Sequence, residues 1–375
     1  MAGWKKLAKS DLPAFLAELA SQAELVVPQE KNGKTRFLPL DSARPISFPS
    51  SLVDVSLKSV FFPKRRPVAR FGEKGDSPSE QRIECAAVQS PFSPRIVMGA
   101  HPCDVSAVNY VDRVFVHSAF KDPLYEAERN RTTIIGMACS EMKPECHCTD
   151  RDLSPDNERG MDAVFVEAGD GYLFRSVTDK GAAVLKSGLL KETSDEPAKR
   201  DWPRGKYPVS PESIVQSPSS SEADPFWQEV ADLCLTCGAC TFACPTCTCF
   251  LVSDERHDGA GERVTAWDSC QFSGYSRMSG GHNPRKTKSA RVRNRMLDKF
   301  VYTVEKYGAT SCVGCGRCAI ICPVGRHFPR EIAALSRGLS PLSSEENGDC
   351  TRSKRGLPPL SSDENGGCTR SPRTR

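Results

Sequence analysis

The chain has 375 residues, which is enough for two ordinary domains that each bury a core. Its 51 Lys and Arg residues nearly balance 47 Asp and Glu residues. This balance argues against nucleic acid as a main partner, because phosphate neutralisation calls for a clear basic excess. The 18 cysteines are closely clustered, which indicates metal ligands in a reducing compartment rather than disulfides. No segment approaches the run of about 18 apolar residues that a membrane-spanning helix needs, so we expect a soluble, cytoplasmic protein.

Residues 1–195 predict strands that alternate with helices, which is typical of a mixed α/β domain. The predicted elements are, in chain order, a helix with apolar residues at 12, 15, 16 and 19, a hairpin over 24–40 that turns at Asn32-Gly33, a polar loop over 72–95, a buried strand at 95–100 that leads into a helix, a short strand within 131–140, and a second hairpin over 161–177.

The rest of the chain predicts three further parts. Residues 196–225 are rich in Pro, Ser and charge, and are predicted to be a linker. Residues 226–336 predict a mostly helical, ferredoxin-like domain, in which an amphipathic helix begins with Ser289 as its N-cap and ends at Gly308. Residues 337–375 contain two copies of an 18-residue polar unit and predict a disordered tail. The predicted fold class is therefore α+β.

Two cysteine runs in residues 226–336 share the spacing of bacterial ferredoxins that bind [4Fe–4S] clusters. The first is Cys234-x2-Cys237-x2-Cys240-x3-Cys244-Pro245, and the second is Cys312-x2-Cys315-x2-Cys318-x3-Cys322-Pro323. Three thiolates on one tight loop can each reach a different iron, and in two-cluster ferredoxins the fourth ligand comes from the other run. We therefore expect two [4Fe–4S] clusters, one held by Cys234, Cys237, Cys240 and Cys322, and the other by Cys312, Cys315, Cys318 and Cys244.

The residues around these cysteines favour iron–sulfur clusters over zinc. Gly238, Gly314 and Gly316 lack a Cβ, so the loops can wrap a cluster and direct amide N–H groups at its sulfides. Zinc usually takes four ligands from two CxxC knuckles separated by a longer spacer. Runs of four cysteines, each with its last member before a proline, fit that pattern poorly.

Other cysteines lie outside this assignment. Candidates for a third metal centre are Cys247, Cys249 and Cys270 after the first run, and Cys103, Cys139, Cys146 and Cys148 in the N-terminal part. No spacing among them matches a known cluster run, and the alternative interpretation is buried thiols that act as small apolar residues. Cys350 and Cys368 belong to the repeated tail, and Cys85 to the predicted loop.

The basic stretch over 285–295 has two interpretations. Its cations are Arg285, Lys286, Lys288, Arg291, Arg293 and Arg295. They either face the anionic clusters, where positive charge favours the reduced state, or form the solvated face of a helix.

Beyond the cysteine runs, the order of motifs resembles one family, which comprises the beta subunit of soluble nickel–iron sulfhydrogenases and its relative in anaerobic sulfite reductase. The matching phrases are K-x-x-FFP at 58–63, G-x-H-P-C-D at 99–104, D-P-x-Y at 122–125, the cysteines at 139, 146 and 148, CPTCTCF at 244–250, WDSC at 267–270, GGHNPR at 280–285, KFVY at 299–302 and CVGCGRC at 312–318. They cover roughly residues 35–335. One departure is His101, where the family usually has Arg. If that Arg touches an anionic group, His would weaken the contact at neutral pH.

The resemblance implies a non-catalytic electron-transfer subunit of a multi-subunit oxidoreductase. Such subunits pass single electrons between a flavin subunit that handles NAD(P)H and a terminal catalyst, which is either a hydrogenase or a reductase of sulfur or sulfite. In agreement, the sequence has neither a G-x-G-x-x-G after a predicted strand nor a Walker-type phosphate loop. One alternative is an oxidoreductase in its own right, with a small-molecule or flavin site near Cys103 and residues 139–148. Another is a protein whose clusters only stabilise the fold, as in some nucleic-acid enzymes, which the missing basic excess disfavours.

Overall fold

The computed structural model of the protein describes residues 3–74, 82–88, 93–257, 260–341, 361–362 and 368–369. The strands are β1 (Lys5–Ala8), β2 (Glu24–Glu30), β3 (Thr35–Pro39), β4 (Arg65–Lys74), β5 (Arg82–Ala87), β6 (Arg95–Ala100), β7 (Thr132–Met137), β8 (Ala163–Ala168), β9 (Gly171–Ser176), β10 (Lys191–Glu192), β11 (Phe250–His257), β12 (Ala260–Trp267), β13 (Ser361–Ser362) and β14 (Cys368–Thr369).

The helices lie between these strands and, in the cysteine-rich part, beside the two runs. They are α1 (Leu12–Gln22), α2 (Lys58–Phe61), α3 (Pro102–Phe115), α4 (Pro123–Asn130), α5 (Asp179–Val184), α6 (Pro211–Val215), α7 (Pro225–Asp232), α8 (Ala239–Ala243), α9 (Lys288–Leu297), α10 (Thr303–Tyr307), α11 (Arg317–Ile320) and α12 (Phe328–Ser336). A π-helical stretch at Asp298–Tyr302 joins α9 to α10.

Eight strands form the main sheet, in the order β10-β1-β9-β8-β7-β6-β2-β3. The neighbours β2, β6, β7 and β8 run parallel, and the remaining pairs are antiparallel. Successive residues alternate between two apolar layers, as a strand with a period of two requires: Val97 packs with α3 on one face, and Ile96 and Met98 pack with α1 on the other. The predicted mixed α/β architecture is confirmed, including both hairpins of this sheet.

A second, antiparallel sheet has the order β11-β12-β4-β5 and joins segments far apart in the chain. Within the predicted loop over 72–95, β4 continues to Lys74 and β5 follows, so that prediction is wrong in part. The β11–β12 hairpin has no counterpart in the sequence analysis. These strands are rich in charge and are held partly by cross-strand ion pairs, such as Arg70 with Glu262 at 3.0 Å, so they lack an apolar alternation that would reveal them.

The helices of the cysteine-rich part pack around one apolar core. Trp227 of α7, Met296 of α9 and Ile332 of α12 are almost completely buried there. Ile214 of α6 joins this core, although it lies in the predicted linker over 196–225. Because β11 and β12 also belong to this part, its predicted mostly helical character is not confirmed. The domain boundaries stay a prediction.

The amphipathic helix is present, with one correction at its start. Thr287, and not Ser289, is the N-cap, because its Oγ1 accepts a hydrogen bond from the Ala290 N–H at 3.1 Å. Gly308 adopts a left-handed φ of 67° and ends α10, as predicted.

Most of the predicted tail over 337–375 lies outside the described residues, including Cys350. Within it, β13 pairs with β14 in antiparallel fashion. In the described part of the chain, no helix has the length and apolar character to cross a membrane.

The aromatic layer of the main sheet gives a test of the fold. Phe165 is fully buried and stacks on Phe174, with 5.2 Å between the ring centroids. We expect Phe165→Ala to lower the free energy of unfolding by about 3–5 kcal/mol, because the cavity it leaves cannot collapse fully. The control Phe120→Ala removes the same ring at a position that is 90% exposed and should change stability by less than about 0.5 kcal/mol. Urea unfolding followed by tryptophan fluorescence measures both, and equal midpoints for the two variants would contradict the packing.

Candidate iron–sulfur centre

The two cysteine runs fold alike. Gly238 in the first run and Gly316 in the second have the same backbone conformation, with φ 73° and ψ −6°, and each begins a short helix, α8 or α11. These two helices pack against each other. The repeat in the sequence is therefore also a repeat in the structure.

The glycines of the runs allow close approaches that a side chain would prevent. A Cβ on Gly238 would lie 2.8 Å from the Phe272 ring, and a Cβ on Gly314 would lie 2.5 Å from the backbone of Cys148. Both glycines also have a left-handed φ, of 73° and 66°. The His147 N–H donates to the Gly314 carbonyl at 2.8 Å. The loop of the second run is thus docked closely on the segment around residue 147.

The first run borders a cavity of about 480 Å³. Its lining includes all four cysteines that the sequence assigns to the first cluster, together with Cys318: Cys234, Cys237, Cys240 and Cys322. Backbone N–H groups point at two of these thiols, from Thr236 to Cys234 at 3.3 Å and from Arg326 to Cys322 at 3.2 Å. Such N–H groups stabilise thiolates and the clusters they bind, so the donor set fits an iron–sulfur cluster.

Cys244 lies beside the second run. Its thiol interacts electrostatically with those of Cys315 and Cys318. The turn that follows Cys244 is tied to the residue before Cys312, because the Thr246 hydroxyl donates to the Ser311 carbonyl at 2.5 Å. This arrangement agrees with the crossed assignment of the fourth ligands.

His147 contacts the second run through its ring. Its Nε2 lies 3.9 Å from the Cys312 Sγ. Burial raises the pKa of Cys312, but the hydrogen bond with His147 and the charge on that ring outweigh burial and bring the pKa down to about 7. The site therefore favours the thiolate form, which is the metal-binding form.

Buried cations surround the turn that contains Cys244 and Cys247. The Lys299 ammonium is almost completely buried and donates to the Thr246 hydroxyl and the Ser311 carbonyl, both at 3.0 Å. Burial lowers the pKa of Lys299, but the thiols of Cys244 and Cys247 hold it well above its usual value. Positive charge at this depth is stabilised only by anionic neighbours.

Two more cations contact Cys247. The Arg295 guanidinium, also buried, donates to the Cys247 Sγ at 3.3 Å, and the Lys58 ammonium donates to the Cys247 carbonyl at 3.0 Å. Burial lowers the pKa of Lys58 to about 8. Lys58 and Lys299 were not predicted as site residues, although each begins one of the family phrases, K-x-x-FFP and KFVY.

The basic stretch over 285–295 is divided between the two interpretations. Arg291 and Arg295 are buried, and Arg295 faces the cysteines. Arg293 pairs with Glu222 at 2.8 Å, and Lys286 and Lys288 are exposed.

The three extra cysteines after the first run pair with other side chains. The hydrogen bond between the Cys247 and Cys244 thiols lowers the pKa of Cys244 and raises that of Cys247. A similar bond between Cys249 and Cys270 lowers the pKa of Cys249 to about 6. Among the residues described, no group of three or more His, Cys, Asp or Glu side chains is arranged to hold a single metal ion. A third centre at Cys247, Cys249 and Cys270 stays a prediction.

His101, the departure from the family phrase, lies inside the protein. It is fully buried, and its Nδ1 lies 3.1 Å from the Met137 carbonyl oxygen. Burial lowers its pKa to about 4, so the ring is neutral at pH 7. Its position excludes a direct contact with the surface of a partner.

Comparisons with known proteins agree with the geometry. A family model described as the 4Fe-4S dicluster domain matches residues 233–326. The chain is 26% identical over 347 residues to sulfhydrogenase 2 subunit beta of Pyrococcus furiosus, an alignment that covers 89% of this chain and 98% of that protein. No solved structure matches the chain. The predicted resemblance is therefore confirmed: this is an iron–sulfur protein with a 4Fe-4S dicluster domain, related over most of its length to the sulfhydrogenase beta subunits that support electron transfer.

Proposed function

We propose that the chain is the non-catalytic relay subunit of a cytoplasmic, multi-subunit oxidoreductase of the hydrogenase, sulfur reductase or sulfite reductase type. Its partners are a subunit that binds flavin and NAD(P)H and a subunit that carries the terminal catalyst. Iron–sulfur clusters supply one-electron transfer when bound. The observation that supports this role best is the gathering of Cys234, Cys237, Cys240 and Cys322 around one cavity.

The chain's own groups make the second half of the proposed relay. The turn at Thr246 brings Cys244 to the second run, and the Lys299 ammonium bridges the two segments. Two [4Fe–4S] clusters held by crossed ligands are necessarily neighbours. Neighbouring one-electron centres, with buried cations that offset their negative charge, suit transfer through the protein rather than chemistry on a substrate.

One end of this relay reaches the surface. Cys237 is exposed, and Leu235 beside it is 61% exposed. Both residues line the cavity of the first run. A partner that exchanges electrons with the first cluster can approach it most closely at this edge.

A direct experiment separates the relay from an oxidoreductase in its own right. We expect the purified chain to show broad iron–sulfur absorption without a flavin band, and NAD(P)H alone should leave that absorption unchanged. In the native complex, NAD(P)H should bleach it. A flavin band in the isolated chain, or its reduction by NAD(P)H without partners, would favour the alternative, with a site near Cys103.

The crossed assignment predicts the effect of Cys244→Ala. This variant should lose one cluster, about four irons, and the EPR spectrum of the remaining cluster should match that of Cys315→Ala. The control Cys85→Ala removes an exposed thiol outside the runs and should keep the full iron content. A spectrum that instead matches Cys237→Ala would show that Cys244 serves the cluster of its own run.

The buried ammonium of Lys299 predicts a shift in reduction potential. Because positive charge favours the more negative, reduced state, Lys299→Met should lower the potential of the adjacent cluster by about 50 mV, or about 1 kcal/mol for one electron. Lys306→Met removes an exposed ammonium from α10 and is the matched control, with no expected change. EPR-monitored redox titration measures both potentials. An unchanged or higher potential in Lys299→Met would contradict the electrostatic role.

A further inference from the structure

Cysteines outside the two runs meet at one edge of the main sheet. Cys103 is the second residue of α3, directly after β6, and Cys139 comes two residues after β7. These strands are parallel neighbours, so their carboxyl ends lie at the same edge. The His101 ring connects the two ends, with its Nδ1 3.4 Å from the Cys139 Sγ.

The segment that carries Cys146 and Cys148 closes over this edge. Cys103, Cys146 and Cys148 are each only 7–8% exposed. Cys103 and Cys148 pack in one apolar cluster with Cys315 of the second run. The thiol of Cys139 interacts electrostatically with those of Cys146 and Cys148, and the thiol of Cys103 with that of Cys139. Four thiols from three segments therefore share one buried site.

Two buried hydrogen-bond donors at this site have no partner among the described residues. They are the Nε2 of His101 and the Nη1 of Arg317. The rest of the Arg317 guanidinium pairs with Asp104 at 2.8 Å and donates to the Val53 carbonyl. A buried polar group without a partner costs about 1–3 kcal/mol, which an acceptor in the site would offset. Arg317 interacts electrostatically with both Cys103 and Cys315, so its charge lies between this site and the second run.

We propose that Cys103, Cys139, Cys146 and Cys148 bind a third iron–sulfur cluster, adjacent to the cluster of the second run. Four thiolates are the ligand set of such clusters, and the sulfides and thiolates of an anionic cluster accept hydrogen bonds from buried donors. The inference rests on the proposed function, because it extends the relay from the second run to the edge of the main sheet. The ligands come from separate segments, which explains why no run-like spacing reveals them.

The experiment compares thiol variants of the full chain after anaerobic reconstitution with iron and sulfide. We expect about twelve irons per wild-type chain and a loss of about four in Cys139→Ser and in Cys148→Ser, with the EPR signals of the other two clusters retained. Thr149→Val is the matched control, since Thr149 is buried in the same segment and carries no thiol. It should keep all twelve.

The outcomes separate this inference from the proposed function. Wild-type chain with about eight irons, and thiol variants with unchanged iron, would overturn the third cluster and leave the relay intact. Zinc that binds to the wild type and is lost from the thiol variants would also overturn it, as would equal iron loss in Thr149→Val. A wild-type chain without any iron would overturn the proposed function itself.

Discussion

The buried ammonium of Lys299 holds the two cysteine runs together. It bridges Thr246, just after the first run, and Ser311, just before the second. An ion at this depth loses several kcal/mol of hydration, which only opposite charge and hydrogen bonds can offset. The thiols of Cys244 and Cys247 provide that charge. The cation and the thiolates therefore depend on each other, and together they create a site suited to anionic clusters.

The N-terminal sheet supports this centre directly. The buried Arg317 of the second run pairs with Asp104 at the start of α3 and donates to the Val53 carbonyl. Lys58 reaches the turn after the first run, and β4 pairs with β12. Each contact joins an N-terminal segment to the cysteine-rich part. This joint construction is consistent with a resemblance to sulfhydrogenase 2 subunit beta that extends over 89% of the chain, far beyond the cysteine runs.

The sequence predicted those features that follow from local spacing. The cysteine runs, the amphipathic helix and the strands with apolar alternation all have such a pattern. It missed β11 and β12, whose charged residues hide the alternation, and Lys58 and Lys299, because a buried lysine contradicts the usual link between charge and exposure. It named Cys103 and Cys139 as candidates without joining them, since only the parallel pairing of β6 and β7 brings the two strand ends together.

The central claim is that eight thiolates of the two runs hold two neighbouring iron–sulfur clusters. EPR spectroscopy of the anaerobically isolated chain after reduction with dithionite tests it most directly. The account predicts reduced clusters whose signals are broadened by magnetic interaction, in protein that contains iron and acid-labile sulfide. Protein that contains zinc instead and gives no paramagnetic signal would contradict it.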